Sequence, residues 1–241
     1  MNQFHDILPG SSIARVYEEA GADHARVEAQ ARELCGSVQR ALVRATADAV
    51  TVFNSLSWAR TALVPLPEGF TGVRDTAGQP LATQHIEGVL HAQATLPACG
   101  WTTLTNAPAA AVTTAAVRAT TSSLENDVLR IKLNRSGEIV SLYDKQARRE
   151  LAAGPGNRLL LYKDVPTCFD AWDIDATYKE NPVEIGGRAT VSVVAQGPLA
   201  GVVRVQRTFS ASTLQQDIIL RAGSRVVEFK TTMDWHERHK L

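Results

Sequence analysis

A mainly β protein with a helical N-terminal segment is the fold class that this sequence predicts, on three observations. Apolar residues recur at helical spacing across residues 13–42, Leu129, Ile131 and Leu133 alternate with polar neighbours, and short apolar runs elsewhere are punctuated by Gly and Pro. The 241 residues, 44% hydrophobic and 21% charged, suffice for a sizeable core in one large domain or two small ones.

Residues 11–45 carry the helical spacing through Ile13, Val16, Tyr17 and Ala20, then Val27, Ala31, Leu34, Val38 and Leu42. This predicts two helices broken near Gly21, the first capped by Ser11 or Ser12, whose hydroxyl can accept from an unpaired first-turn N–H. Strand chemistry starts near Val50. The runs VTVFN and TALVPL, with further short pieces between Gly69, Gly72, Gly78 and Gly88, predict a small antiparallel β-domain over 49–106. Residues 107–122, rich in Ala and Thr and poor in bulky groups, read as a linker. Beyond it Leu129, Ile131 and Leu133 mark one face of a strand, and Arg135-Ser136-Gly137 turns the chain toward Ile139. Further strands are expected at 158–162, 188–195, 201–209, 213–220 and 224–233, together an antiparallel β-sandwich over 123–241.

Lys+Arg and Asp+Glu number 25 each, so no whole-chain field draws nucleic acid or anionic lipid, and neither partner is expected. No apolar stretch approaches the ~20 residues of a membrane span. Three widely spaced cysteines, Cys35, Cys99 and Cys168, argue against a disulfide framework and for a reducing, cytoplasmic setting. The chain begins and ends abruptly, with QFHD three residues in and no closing strand after Trp235, which suggests a piece of a longer polypeptide.

Two stretches could carry chemistry. His5 and Asp6, in a loop entering a helix, suit a metal ligand or an acid/base pair, although a lone His near a terminus is more often solvated. Asp170, Trp172 and Asp173, within FDAWDID, offer an indole face and hydrogen-bond acceptors, the pairing a sugar needs for its C–H face and its hydroxyls. The alternative places Trp172 in the core. The run lacks the Gly and Glu of an EF-hand loop. His236-Glu237-Arg238-His239 follows a strand, where i and i+3 point to opposite faces, and reads as a solvated strand end. No phosphate-binding or nucleophile motif is present.

NQFHDILPGSSI at 2–13, VFNSLSWART at 52–61, LPACGWTTL at 96–104, the segment SLENDVLRIKL onward from Ser123, NRLLLYKDVPTCFDAWDID at 157–175 and FKTTMDWHERHKL at 229–241 occur in the order in which similar motifs occur in glycoside hydrolase family 38 α-mannosidases. The resemblance spans nearly the whole chain. It implies that residues 1–48 end a helical bundle, 49–106 form the small β-domain, and 123–241 form the first part of a galactose-mutarotase-like sandwich. It implies a retaining, zinc-dependent exo-α-mannosidase that removes terminal α-mannose, with His5 matching a zinc ligand and Asp6 placed to hold substrate hydroxyls. The family's nucleophile and acid/base match nothing here, because they lie in an N-terminal barrel upstream. By this resemblance the chain carries no catalytic carboxylate and is expected to be inactive alone, with the barrel or another subunit as its partner. Two rival readings are a stand-alone carbohydrate-binding sandwich and a subunit complementing a separate barrel. Open strand edges would favour a covering contact, including a homo-oligomer.

Overall fold

The computed structural model describes residues 6–110, 117–169, 172–186 and 188–241. The chain divides into two compact units, one of Met1–Ala45, Leu160–Glu184 and Arg238–Leu241, the other of Thr46–Leu159 and Ile185–Glu237.

In the first unit a single helix, α1 (Ala14–Leu42), replaces the two helices expected. Gly21 costs a helix interior about 1 kcal/mol relative to Ala, too little to break 29 residues supported by the Arg15–Glu19, Asp23–Arg26 and Glu28–Arg32 pairs. Neither serine caps it. Ile13 occupies that position without a side-chain bond, while the Ser11 hydroxyl donates to the Asp6 carbonyl and the Ser12 N–H to the Tyr17 hydroxyl. Within this unit Ala20 is the buried residue of the helix, and Val27, Leu34, Val38 and Leu42 lie exposed.

The second unit contains two β assemblies. In the first, β1 (Ala49–Asn54), β2 (Arg60–Pro65), β3 (Val73–Arg74), β4 (Thr83–Ile86), β5 (Val89–Leu96) and β6 (Gly100–Asn106) form two antiparallel three-stranded sheets, ordered β1-β6-β3 and β2-β5-β4. Inward strand residues including Val73, Leu90, Leu96 and Leu104 join Leu66 and Phe70 of the β2–β3 connection in one core.

The second assembly is the sandwich. One sheet runs β11-β10-β9-β8-β7, from β7 (Arg118–Thr120), β8 (Ser123–Glu125), β9 (Leu129–Leu133), β10 (Ile139–Asp144) and β11 (Arg149–Glu150). In the first unit, β12 (Leu161–Tyr162) pairs with β13 (Pro182–Val183). The facing sandwich sheet is β14 (Thr190–Ala195), β15 (Ala200–Phe209), β16 (Ser212–Arg221) and β17 (Val227–Asp234), in that order. Leu124, Leu129, Ile131 and Leu133 of one sheet meet Val203, Val205, Ile218 and Leu220 of the other.

Strand β7 corrects the linker expected over 107–122. Val117 and Ala119 are buried in the sandwich core, and Arg118–Thr120 pairs with β8. Small apolar residues alternating with Arg118 and Thr120 suffice for an edge strand once a neighbouring strand completes its ladder. Residues 111–116 lie outside the described residues.

The β9–β10 turn folds as its sequence demands. The Asn134 side-chain carbonyl accepts from the N–H groups of Ser136 and Glu138, and Gly137 has φ +76°, where a Cβ would come within 2.5 Å of Val205. Asn126 is a buried junction between turns of the sandwich. It accepts from the N–H groups of Val128 and Leu129 and donates to the carbonyls of Arg221 and Ser224.

Polar groups also stitch the small β assembly to the sandwich. The buried Gln84 amide donates to the Ala200 carbonyl at 2.8 Å and accepts from the N–H groups of Leu199 and Ala200. Arg204 of β15 forks onto Asp217 of β16, Nε and Nη2 each 2.7 Å from a carboxylate oxygen, and also meets Glu87 of the β4–β5 turn at 2.7 Å. The Asp217 bond is the main influence raising the Arg204 pKa, so the guanidinium stays charged.

Glu150 gives the sandwich a test in acid. Its carboxylate accepts from the Ser141 hydroxyl and the N–H groups of Leu142 and Ala152, which pull its pKa from 4.5 to about 2. Asp144 is lowered too, chiefly by the Ala147 N–H. A carboxyl depressed on folding stabilises above its unfolded value and loses that contribution as pH falls through its folded value. Acid unfolding should therefore steepen between about pH 4.5 and 2, and Glu150→Gln should flatten that limb in a circular-dichroism titration. A variant with an unchanged acid profile would contradict this assignment.

Candidate functional site

The site is built on the loop that follows β12. Phe169 adopts φ +57°, and its carbonyl accepts from both the Trp172 N–H (2.7 Å) and the Asp173 N–H (2.9 Å), closing a tight turn. The left-handed conformation at a bulky residue is uncommon, and Trp172 is 67% exposed, with Phe169 75% exposed. Trp172 is therefore not a core residue. Asp173 follows it directly, exposed, its carboxylate accepting from the Ile174 N–H at 2.9 Å.

The loop is anchored behind this turn. Lys163 N–H donates to the Asn181 carbonyl, Asp164 N–H to the His239 carbonyl, and Tyr162 and Leu241 exchange two backbone bonds. Tyr162 and Tyr178 meet edge to face, centroids 5.2 Å apart. Beside the turn lies a cleft of about 190 Å³ lined by Lys163, Asp164, Val165, Asp175 and Tyr178 among others. An exposed indole beside a carboxylate can stack on the C–H face of a sugar while the carboxylate accepts its hydroxyls.

Sequence reasoning found Trp172 and Asp173 but passed over Phe169, the first residue of the same FDAWDID run, whose carbonyl accepts from both of their N–H groups. Asp6 is exposed in the turn before α1, where its backbone carbonyl accepts from Ser11 and Tyr17. His5 and Asp170 lie outside the described residues. Among the described residues no three His, Cys, Asp or Glu side chains converge as metal ligands. The C-terminal histidine run serves structure. His236 pairs with Asp234 at 2.9 Å, and the Glu237 carboxylate accepts from the Ala211 N–H and the buried Ser212 hydroxyl. Cys35, Cys99 and Cys168 are free thiols at exposed positions, and no helix among the described residues is long and apolar enough to cross a membrane.

Residues 124–241 match the glycosyl hydrolases family 38 C-terminal domain. Over its full length the chain is 29% identical to the human and mouse proteins named alpha-mannosidase 2C1. About half of it is 32% identical to alpha-mannosidase G of Dictyostelium discoideum. The chain spans only 23% of the length of the mammalian relatives. The same fold occurs in the crystal structure of an alpha-mannosidase from Enterococcus faecalis V583, with TM-score 0.67 and 12% identity over 95% of this chain and 35% of that one. A second Enterococcus faecalis structure, described as a glycosyl hydrolase family 38 protein, superposes with TM-score 0.68 over 98% of this chain and 38% of that one. With its motifs in family order and its fold shared, the chain carries over residues 124–241 the C-terminal domain of glycosyl hydrolases family 38.

Proposed function

We propose that this chain contributes to a retaining, zinc-dependent exo-α-mannosidase by supplying part of a sugar subsite, while the reacting carboxylates come from sequence outside it. The observation that carries this reading is Trp172, a large apolar side chain held in solvent beside Asp173 by a tight turn. The relatives' names supply the sugar. Asp170 would add a further acceptor, Asp6 would hold substrate hydroxyls, and His5 would be one of about four zinc ligands. Retaining hydrolysis requires two carboxyl groups ~5–5.5 Å apart across the scissile bond. No such pair is assigned within this chain. The binding-module reading uses the same exposed indole, and differs in needing no other polypeptide.

The test uses a family 38 polypeptide that contains this region together with the barrel. There Trp172→Ala should lower kcat/KM roughly twofold to tenfold, as expected for losing ~0.5–1.5 kcal/mol of stacking. Asp173→Asn should lower it roughly tenfold to a hundredfold, in line with ~1.5–3 kcal/mol for a hydrogen bond to a charged group. His5→Ala should lower bound zinc, read by metal analysis. Kinetics untouched by both loop variants would remove the subsite, and full zinc occupancy without His5 would remove the ligand.

A further inference from the structure

A second cleft, of about 250 Å³, opens at one end of the sandwich between β15 and β16 on one side and the β9–β10 turn with residues 157–159 on the other. Side chains alternate along a strand. The inward face of β15 therefore reads Val203, Val205, Arg207, and that of β16 reads Ile218, Gln216, Leu214, with Val205 opposite Gln216 and Arg207 opposite Leu214. The core pattern thus continues into the cleft with a guanidinium and an amide at positions where an apolar core would carry aliphatic groups. Polar groups on a core-facing side need a partner or a function.

Their protein partners leave capacity over. Arg207 Nη2 donates to the Ser136 carbonyl at 3.1 Å. Arg158 Nε stands 3.8 Å from Glu138 Oε1, beyond hydrogen-bond length. Each guanidinium has five N–H donors in a fork suited to an oxyanion. Glu138 also accepts from the Asn134 amide at 2.8 Å, and it is the one carboxylate among the lining residues, against two guanidinium groups. The frame is set without a ligand. Asn157, at φ +56°, donates to Gln216 Oε1 at 2.6 Å and to the Gly137 carbonyl at 3.3 Å. Leu159, Ile185 and Leu214 supply an aliphatic wall.

We propose that this cleft binds a small oxyanion carried on a compact carbon skeleton, with Arg158 and Arg207 holding the anionic group and the aliphatic wall taking the carbons. Paired guanidinium groups bind phosphate and carboxylate alike through charge-assisted hydrogen bonds. The volume lies just under the ~300–1,000 Å³ of drug-sized pockets, which limits the ligand to about the size of a single sugar. This site shares no residue with the Trp172 turn and stands independently of the mannosidase reading.

The experiment is calorimetric titration of the chain with inorganic phosphate, glucose 6-phosphate, glucuronate and, as the neutral control, glucose. At least one oxyanion should saturate in the millimolar range or below, with glucose giving no response. Arg158→Ala and Arg207→Ala should each raise its Kd at least tenfold, and Arg207→Lys should fall between. Stronger binding of glucose 6-phosphate or of glucuronate than of inorganic phosphate supports the proposal and assigns the anionic group, whereas equal binding of inorganic phosphate would overturn the role of the carbon skeleton. Should Arg207→Ala fail to fold, Arg158→Ala decides, since its side chain is 53% exposed. No saturation by any oxyanion, or affinities unmoved by the folded arginine variants, would overturn the proposal.

Discussion

Asp217→Ala is expected to destabilise the sandwich unit by about 3–5 kcal/mol, the usual cost of removing one partner of a buried ion pair. Asp217 faces Arg204 directly across β15 and β16, and their side chains are 6% and 19% exposed. Without the carboxylate, the Arg204 guanidinium keeps only Glu87, which sits on a turn and is about half exposed. The destabilisation comes from stranding a desolvated charge rather than from losing an attraction, so the double variant Arg204→Met, Asp217→Leu should recover most of it. Urea unfolding of the three proteins measures the difference, since a shift of midpoint at constant slope reports stability. A loss below about 1 kcal/mol for Asp217→Ala would place the pair among exposed surface bridges and contradict its reading as a desolvated pair inside the sandwich sheet.

That ion pair also marks where the sequence stops being legible. Local patterns carried through. Leu129, Ile131 and Leu133 alternate in burial as their spacing indicated, and the Arg135-Ser136-Gly137 turn leads into β10. Long-range partnerships did not carry through. Arg204, Asp217 and Glu87 come from β15, β16 and the β4–β5 turn, and nothing local couples them. Strand β7 stayed hidden for the same reason, because Val117 and Ala119 are small and gain their burial from β8 and from a bridge between Val117 and Gly197. The break expected at Gly21 failed in the other direction, a local penalty outweighed by the length of α1. At the candidate site, residue types named Trp172 and Asp173 but could not say whether the indole was core or surface. The 67% exposure of Trp172 decides that, a tertiary outcome that residue types alone do not set.

The division of labour proposed here, with sugar contacts in this chain and the reacting carboxylates elsewhere, is most directly tested by catalysis itself. The purified chain, supplied with zinc and an aryl α-mannoside, should release aryl alcohol no faster than a mock-purified control. The expected difference from an intact enzyme is very large, since glycosidases owe their rate to a paired nucleophile and acid/base that binding groups such as Trp172 and Asp173 cannot replace. Adding the barrel-containing polypeptide, or testing one that holds both regions, should give turnover. Zinc-dependent hydrolysis by the homogeneous chain alone would contradict the account, because it would require both catalytic carboxylates to lie within these 241 residues.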